Sequence, residues 1–179
     1  MAEGSGAPPT GLPGLALLLV QLGFHAGREF GERLAPLGLE QRQAGMLVRL
    51  AANEGKSQQA IAELLGINAT RMVFLVDELE LLGLVERRRN LADRRSHALY
   101  LTDAGTAMLA RVRAATAEHE ARMSAAMTSD ERTQLISLLR RVASEQRLGA
   151  QALPGMPPGR RAGSRAAAGT QGGVPGRAD

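Results

Sequence analysis

The segment from Glu86 to Thr102, Glu-Arg-Arg-Arg-Asn-Leu-Ala-Asp-Arg-Arg-Ser-His-Ala-Leu-Tyr-Leu-Thr, constrains this chain more than any other. Two stretches able to form strands, Leu84 to Arg88 and Ser96 to Leu101, flank a tip crowded with arginine. Asn90 and Asp93 suit the turn between them. A hairpin with cationic, fork-shaped side chains at its end is poorly suited to burial. It is well suited to a phosphate backbone or a narrow minor groove. The preceding residues sharpen this. Ser57 has the character of an N-cap and opens a short helix through Leu65, with Ile61, Leu64 and Leu65 facing inward. Gly66 breaks that helix. Asn68 can cap the next, which runs to about Leu82 and buries Met72, Leu75, Val76 and Leu79. Two helices about a tight turn, followed at once by an arginine-rich hairpin, predict a winged helix-turn-helix.

The rest of the chain reads as mostly helical. Residues 1–11 are a flexible Gly/Pro/Ala leader, and Leu12 to about Leu34 is a first helix with Leu15, Leu18, Leu19, Leu22 and Phe30 as its apolar stripe. Pro36 and Gly38 end it. Leu39–Ala52 is a second helix carrying Met46, Leu47 and Leu50. Thr102 starts a long helix to about Met127, with Leu109, Val112, His119 and Met123 at helical spacing. Thr128 to Glu131 is a capping box for a last helix presenting Leu135, Leu138, Leu139 and Val142. Residues 149–179, rich in Gly, Pro, Ala and Arg, have almost nothing to bury and are expected to be disordered. A lobe of residues 39–101 does not need three further apolar helices to close its core. The surplus stripes on 12–38 and 102–148 therefore predict an intertwined dimerisation domain shared with a second copy.

The net charge of +4 is distributed unevenly. Beyond Gly149, four arginines less Asp179 supply +3 of it, so the body is nearly neutral and its basicity is local to Arg87–Arg95. Local basicity points to nucleic acid. The absence of cysteine excludes disulfides and thiolate metal sites. Leu15–Val20 is too short for a membrane span, which needs roughly 20 apolar residues, and no basic segment precedes it. A cytoplasmic protein without membrane contact is expected.

In this arrangement the chain resembles the MarR (multiple-antibiotic-resistance) family of transcriptional regulators. The resemblance is carried by Leu34-Ala-Pro-Leu-Gly-Leu39, Ser57-Gln-Gln-Ala-Ile-Ala-Glu-Leu-Leu-Gly-Ile67 and Leu75-Val-Asp-Glu-Leu79. It continues through Leu82-Gly-Leu-Val-Glu-Arg87, Asp93-Arg-Arg95 and Leu101-Thr-Asp-Ala-Gly105, covering about Leu15 to Gln146. The Asp-Arg-Arg wing followed by Leu-Thr-x-x-Gly is the most specific part. The resemblance implies an obligate homodimer that binds pseudo-palindromic double-stranded operators and usually represses. It also implies release by a small, often aromatic or phenolic anion held between the dimer helices and the DNA lobe. No metal or cofactor is implied.

The start of the Asn68–Leu82 helix is expected to enter the major groove, exposing Asn68, Ala69, Thr70, Arg71, Val73 and Phe74. Arg71 suits a bidentate contact to guanine and Thr70 a phosphate or base, while Asn68 is chiefly a cap. Val73 and Phe74 depart from the family's polar or basic pattern. Phe74 either packs on thymine methyls or tucks against the wing as core. On the wing, the family's Asp-x-Arg maps onto Asp93 and Arg95: the carboxylate holds the guanidinium extended towards the minor groove. Arg88, Arg89 and Arg94 serve phosphates or substitute for Arg95. His25 and Arg28 lie on the first helix near where family members often hold an effector. No metal site is expected from His25, His97 and His119, which sit on different elements. No catalytic constellation is present: there is no phosphate loop, nucleophile elbow or carboxylate pair beside a histidine. The competing reading is a winged-helix protein-interaction module, or a regulator without a ligand, since exposed apolar residues such as Phe74 also suit a protein partner.

Overall fold

A computed structural model describes residues 14–89, 97–146 and 148. Eight principal elements follow one another: α1 (Leu15–Leu34), α2 (Gln41–Ala51), α3 (Gln58–Leu65), α4 (Ala69–Leu81), β1 (Val85–Arg89), β2 (His97–Leu101), α5 (Asp103–Met123) and α6 (Ser129–Glu145). Each boundary has a local cause. A 3₁₀ turn at Ala35–Leu37, with Pro36 inside it and Gly38 left-handed, stops α1. Ser57 Oγ accepts from the Ala60 N–H at 3.2 Å and starts α3. Gly66 then takes φ +66°, a conformation that costs a side-chain-bearing residue more, and turns the chain by 115° into α4. Asn68 Oδ1 caps α4 by accepting from the Arg71 N–H at 2.8 Å. Thr128 and Glu131 form the capping box of α6.

β1 and β2 pair antiparallel in the register Val85–Leu101 through Arg89–His97. The outer edge of β2 is also held: Gly55 N–H donates to Leu99 O at 3.0 Å and Leu99 N–H to Lys56 O at 3.1 Å. The hairpin base is therefore fixed to the lobe at the residues that open α3.

Several elements differ in extent from expectation. The second helix begins at Gln41 rather than Leu39, because Glu40 occupies its N-cap and donates its N–H to Gln43 Oε1. β1 begins one residue later and reaches Arg89, since Leu84 is occupied in the turn after Gly83. The long helix stops at Met123, about a turn short of Met127: Ser124 Oγ donates to Glu120 O at 2.7 Å and the chain turns. Leu64, expected inward, is exposed, and α3 seals only Ile61, Ala62 and Leu65. The leader 1–11 and all of 149–179 lie outside the described residues.

The core gathers Met46, Leu47 and Leu50 of α2, Ile61 and Leu65 of α3, and Met72, Leu75, Val76 and Leu79 of α4. Val85, Leu99, Leu109 and Val112 close it from the hairpin and α5. Each such side chain contributes about 1.5–3 kcal/mol by leaving water. The Leu-Thr-x-x-Gly segment is the joint between lobe and long helix. Thr102 N–H donates to Leu84 O at 3.2 Å, and its hydroxyl donates to Gly83 O at 2.7 Å while accepting from the Gly105 N–H at 2.9 Å. A β-carbon on residue 105 would stand 1.9 Å from Leu84 O, so only glycine fits.

The terminal helices contrast with this interior. α1 buries Leu34 alone, while Leu15, Leu17, Leu18, Val20, Leu22 and Phe24 are exposed. α6 buries nothing completely.

Candidate nucleic-acid interface

One face of the first two turns of α4 stands outward, and the helix is held on both flanks. On one, the Glu78 carboxylate accepts from Arg42 Nη2 and from Gln43 Nε2, each at 3.0 Å. Gln43 is buried, and this bond together with the Glu40 N–H satisfies its amide. On the other flank, Arg87 of β1 donates to Asp77 at 2.7 Å, to Gln58 at 3.1 Å and to Glu80. Arg87 ties wing, α3 and α4 together, so it is a strut. The adjacent arginine run hid that role, because its partners lie on other elements.

With its inner stripe in the core and its flanks bonded, α4 turns its other face to solvent. Ala69, Thr70 and Arg71 are exposed there. Val73 is 41% and Phe74 is 64% exposed, so Phe74 is not tucked against the wing. Asn68 is occupied as the cap.

Of the hairpin arginines, Arg88 folds back onto the Glu86 carboxylate and lies 4.5 Å over the Tyr100 ring. Its hydrogen bond to Glu86 raises its pKa further. Arg88 is therefore a half-neutralised cation stacked on the strand. Arg89 is exposed and forms no ion pair among the described residues. Asp93, Arg94 and Arg95 lie outside the described residues. Between the start of α3, the start of α4 and the hairpin runs an open groove of about 770 Å³, lined by Lys56, Ser57, Gln58, Gln59, Ala69, Arg87 and His97 among others. Cationic and hydrogen-bonding groups line it.

A second cleft, of about 340 Å³, lies where α1, α2 and α5 meet. Phe30 and His119 stack at 5.3 Å on its wall, and Ala44, Val48, Arg49, Val112 and Thr116 complete it. Burial pushes the His119 pKa below its ordinary value, with Arg33 adding to the effect, and its Nδ1 has no hydrogen-bond partner among the described residues. Neither His25 nor Arg28 lines this cleft. His25 is exposed, and Arg28 pairs with Glu32 at 2.6 Å and with Glu29 at 3.6 Å. Glu29 is held below the usual carboxylate range, first by its hydrogen bond from Arg33. Phe30 and His119 were each legible as stripe residues, but no local signal joins positions so far apart in sequence.

Among the described residues no group of three His, Asp or Glu is placed to hold a metal ion, and no single helix is long and apolar enough to cross a membrane.

Comparison with known proteins converges on one family. Residues 37–96 match the sequence model of the MarR family. A protein of Thauera aromatica described as a transcriptional regulatory protein for the hcr operon is 34% identical over 130 residues, covering 68% of this chain and 78% of that one. Among solved structures, a transcriptional repressor, CouR, bound to a 23-mer DNA duplex superposes with a TM-score of 0.67 at 38% identity, covering 72% of this chain and 92% of that one. CouR from Rhodococcus jostii bound to p-coumaroyl-CoA gives 0.63 at 28%, covering 72% and 91%.

Proposed function

Because the chain belongs to the MarR family of transcriptional regulators, and is not an enzyme, we propose that it is a homodimeric, sequence-specific double-stranded-DNA-binding repressor acting in the cytoplasm and relieved by a small aromatic anion. The observation that carries this reading is the outward face of α4, with Thr70, Arg71, Val73 and Phe74 exposed beside an arginine-bearing hairpin. A capped helix start in that position suits the major groove, and wing cations suit the flanking phosphates or minor groove. In this reading Arg89 and Arg94 serve the phosphates, and Arg95, with Asp93 beside it, serves the minor groove. The apolar faces of α1 and α6 suit a two-fold interface, which sets two lobes at the spacing of a pseudo-palindrome.

For the effector, the cleft of Phe30 and His119 offers an aromatic wall, an unpaired ring nitrogen and Arg49. About 340 Å³ is at the small end of ligand clefts, so it suits an aryl acyl group with any carrier left outside. An aromatic acid as its CoA thioester fits both this geometry and the ligand of the Rhodococcus relative. The 64% exposure of Phe74 also favours a second reading, a protein-interaction module.

A titration of the full chain against its upstream intergenic DNA at two salt concentrations separates them. Repression predicts saturable binding, tighter than to random duplex, whose log affinity falls with log salt by about 0.9 per phosphate neutralised. A flat salt response sinks the DNA reading and leaves the protein partner. Adding p-coumaroyl-CoA is expected to release the duplex, and no release by it or by free aromatic acids removes the effector assignment alone. Arg95→Ala is expected to weaken operator binding by about 1–3 kcal/mol with the fold intact. Unchanged affinity at fixed salt refutes that role.

A further inference from the structure

Resting on the DNA-binding reading above, we infer that Phe74, with Val73 beside it, is a specificity residue that reads thymine methyl groups in the major groove. Phe74 lies one turn beyond Thr70 on the outer line of α4, diametrically away from Met72, Leu75, Val76 and Leu79. It cannot roll inward, because the helix is bonded on one flank through Glu78 to Arg42 and Gln43 and on the other through Asp77 and Glu80 to Arg87. Its ring is thus fixed in the open.

The surroundings decide what covers it. The hairpin, tied to α4 through Arg87, carries the exposed cation Arg89, and Lys56 lines the groove between the hairpin and the starts of α3 and α4. An apolar ring on a helix tied to an arginine-bearing hairpin matches a surface that is apolar in one spot and anionic beside it. The major groove of a duplex has that character, since the thymine C5-methyl is the apolar mark among polar base edges and phosphates. Two adjacent apolar side chains at the reading end of α4 therefore select A·T pairs by contact, where polar residues would select by hydrogen bonding.

Thymine and uracil differ only by this methyl, which makes the test specific. The operator is selected in vitro with the full chain, then rebuilt with deoxyuridine in place of every thymidine. Wild type is expected to bind the uracil duplex at least about fourfold more weakly, about 0.8 kcal/mol for one buried methyl. Phe74→Ala is expected to bind both duplexes alike, at the weaker affinity, with its melting temperature and salt slope unchanged. Equal wild-type affinity for the two duplexes, with binding still specific and steep in salt, overturns methyl reading and leaves DNA binding standing. A Phe74→Ala protein that still discriminates thymine from uracil also overturns it. Failure of the wild type to select any duplex defeats both inferences.

Discussion

Leu47 and Leu50 on α2 are sealed from solvent, whereas Leu135 and Leu138 on α6, at the same spacing of three, are 40% and 45% exposed. Both helices carry an apolar stripe of the kind that drives burial. They differ in what the rest of the chain offers them. α2 meets α4, β2 and α5 within the fold, while Leu135 and Leu138 of α6 and most apolar residues in the first half of α1 stay exposed among the described residues. A stripe that local sequence builds and its own chain leaves open belongs to an interface. The lobe is thus complete as a structural unit, and the proposed pairing would complete the terminal helices.

The largest effect that separates the two regions is expected at their joint. Gly105→Val sets side-chain carbon against Leu84 O and should cost more than about 3 kcal/mol, read as loss of cooperative thermal unfolding. Within the lobe, Leu47→Ala should lower stability by about 2–5 kcal/mol in urea titrations. Leu135→Asp with Leu138→Asp should instead lower the melting temperature by an amount that depends on protein concentration, because it acts on association. If the latter pair behaves like Leu47→Ala, α6 has a partner inside its own chain and the contrast fails.

The local features of both regions were legible. The caps at Ser57, Asn68 and Thr128, the turn at Gly66 and the inner stripe of α4 all come from residues within a turn of one another. Non-local features were not. Arg87 looked like one more wing cation until Asp77, Glu80 and Gln58 came together around it. The end of α5 was placed a turn too late, since Ser124 bonding back to Glu120 is invisible in an alanine-rich stretch. The cleft joins Phe30 to His119, far apart in the chain, and only its exposure tells that Phe74 is not tucked against the wing. The proposed DNA-reading role of the Asp93–Arg95 wing still rests on sequence alone, as those residues lie outside the described ones.

Acidity gives a smaller and sharper handle on the seam between the regions. His119, packed between α1 and α2, resists protonation when folded, so the unfolded chain binds the proton first. Its contribution is complete above the ordinary value of 6.5 and is lost as pH falls below it. Arg33 opposes the charged ring, and Glu120 and Glu29 favour it. His119→Gln should flatten the stability profile below pH 6.5, above the window in which Glu131, held below 4.5 by Thr128, titrates. The smallest effect is expected at Arg28, half exposed in its pair with Glu32: Arg28→Ala should move stability by less than about 0.5 kcal/mol.

Sedimentation velocity of the full chain, free and with its selected operator duplex, tests the central claim most directly. The account predicts a free species of twice the single-chain mass and two chains per pseudo-palindromic duplex. A free monomer that binds the duplex one chain at a time would contradict it.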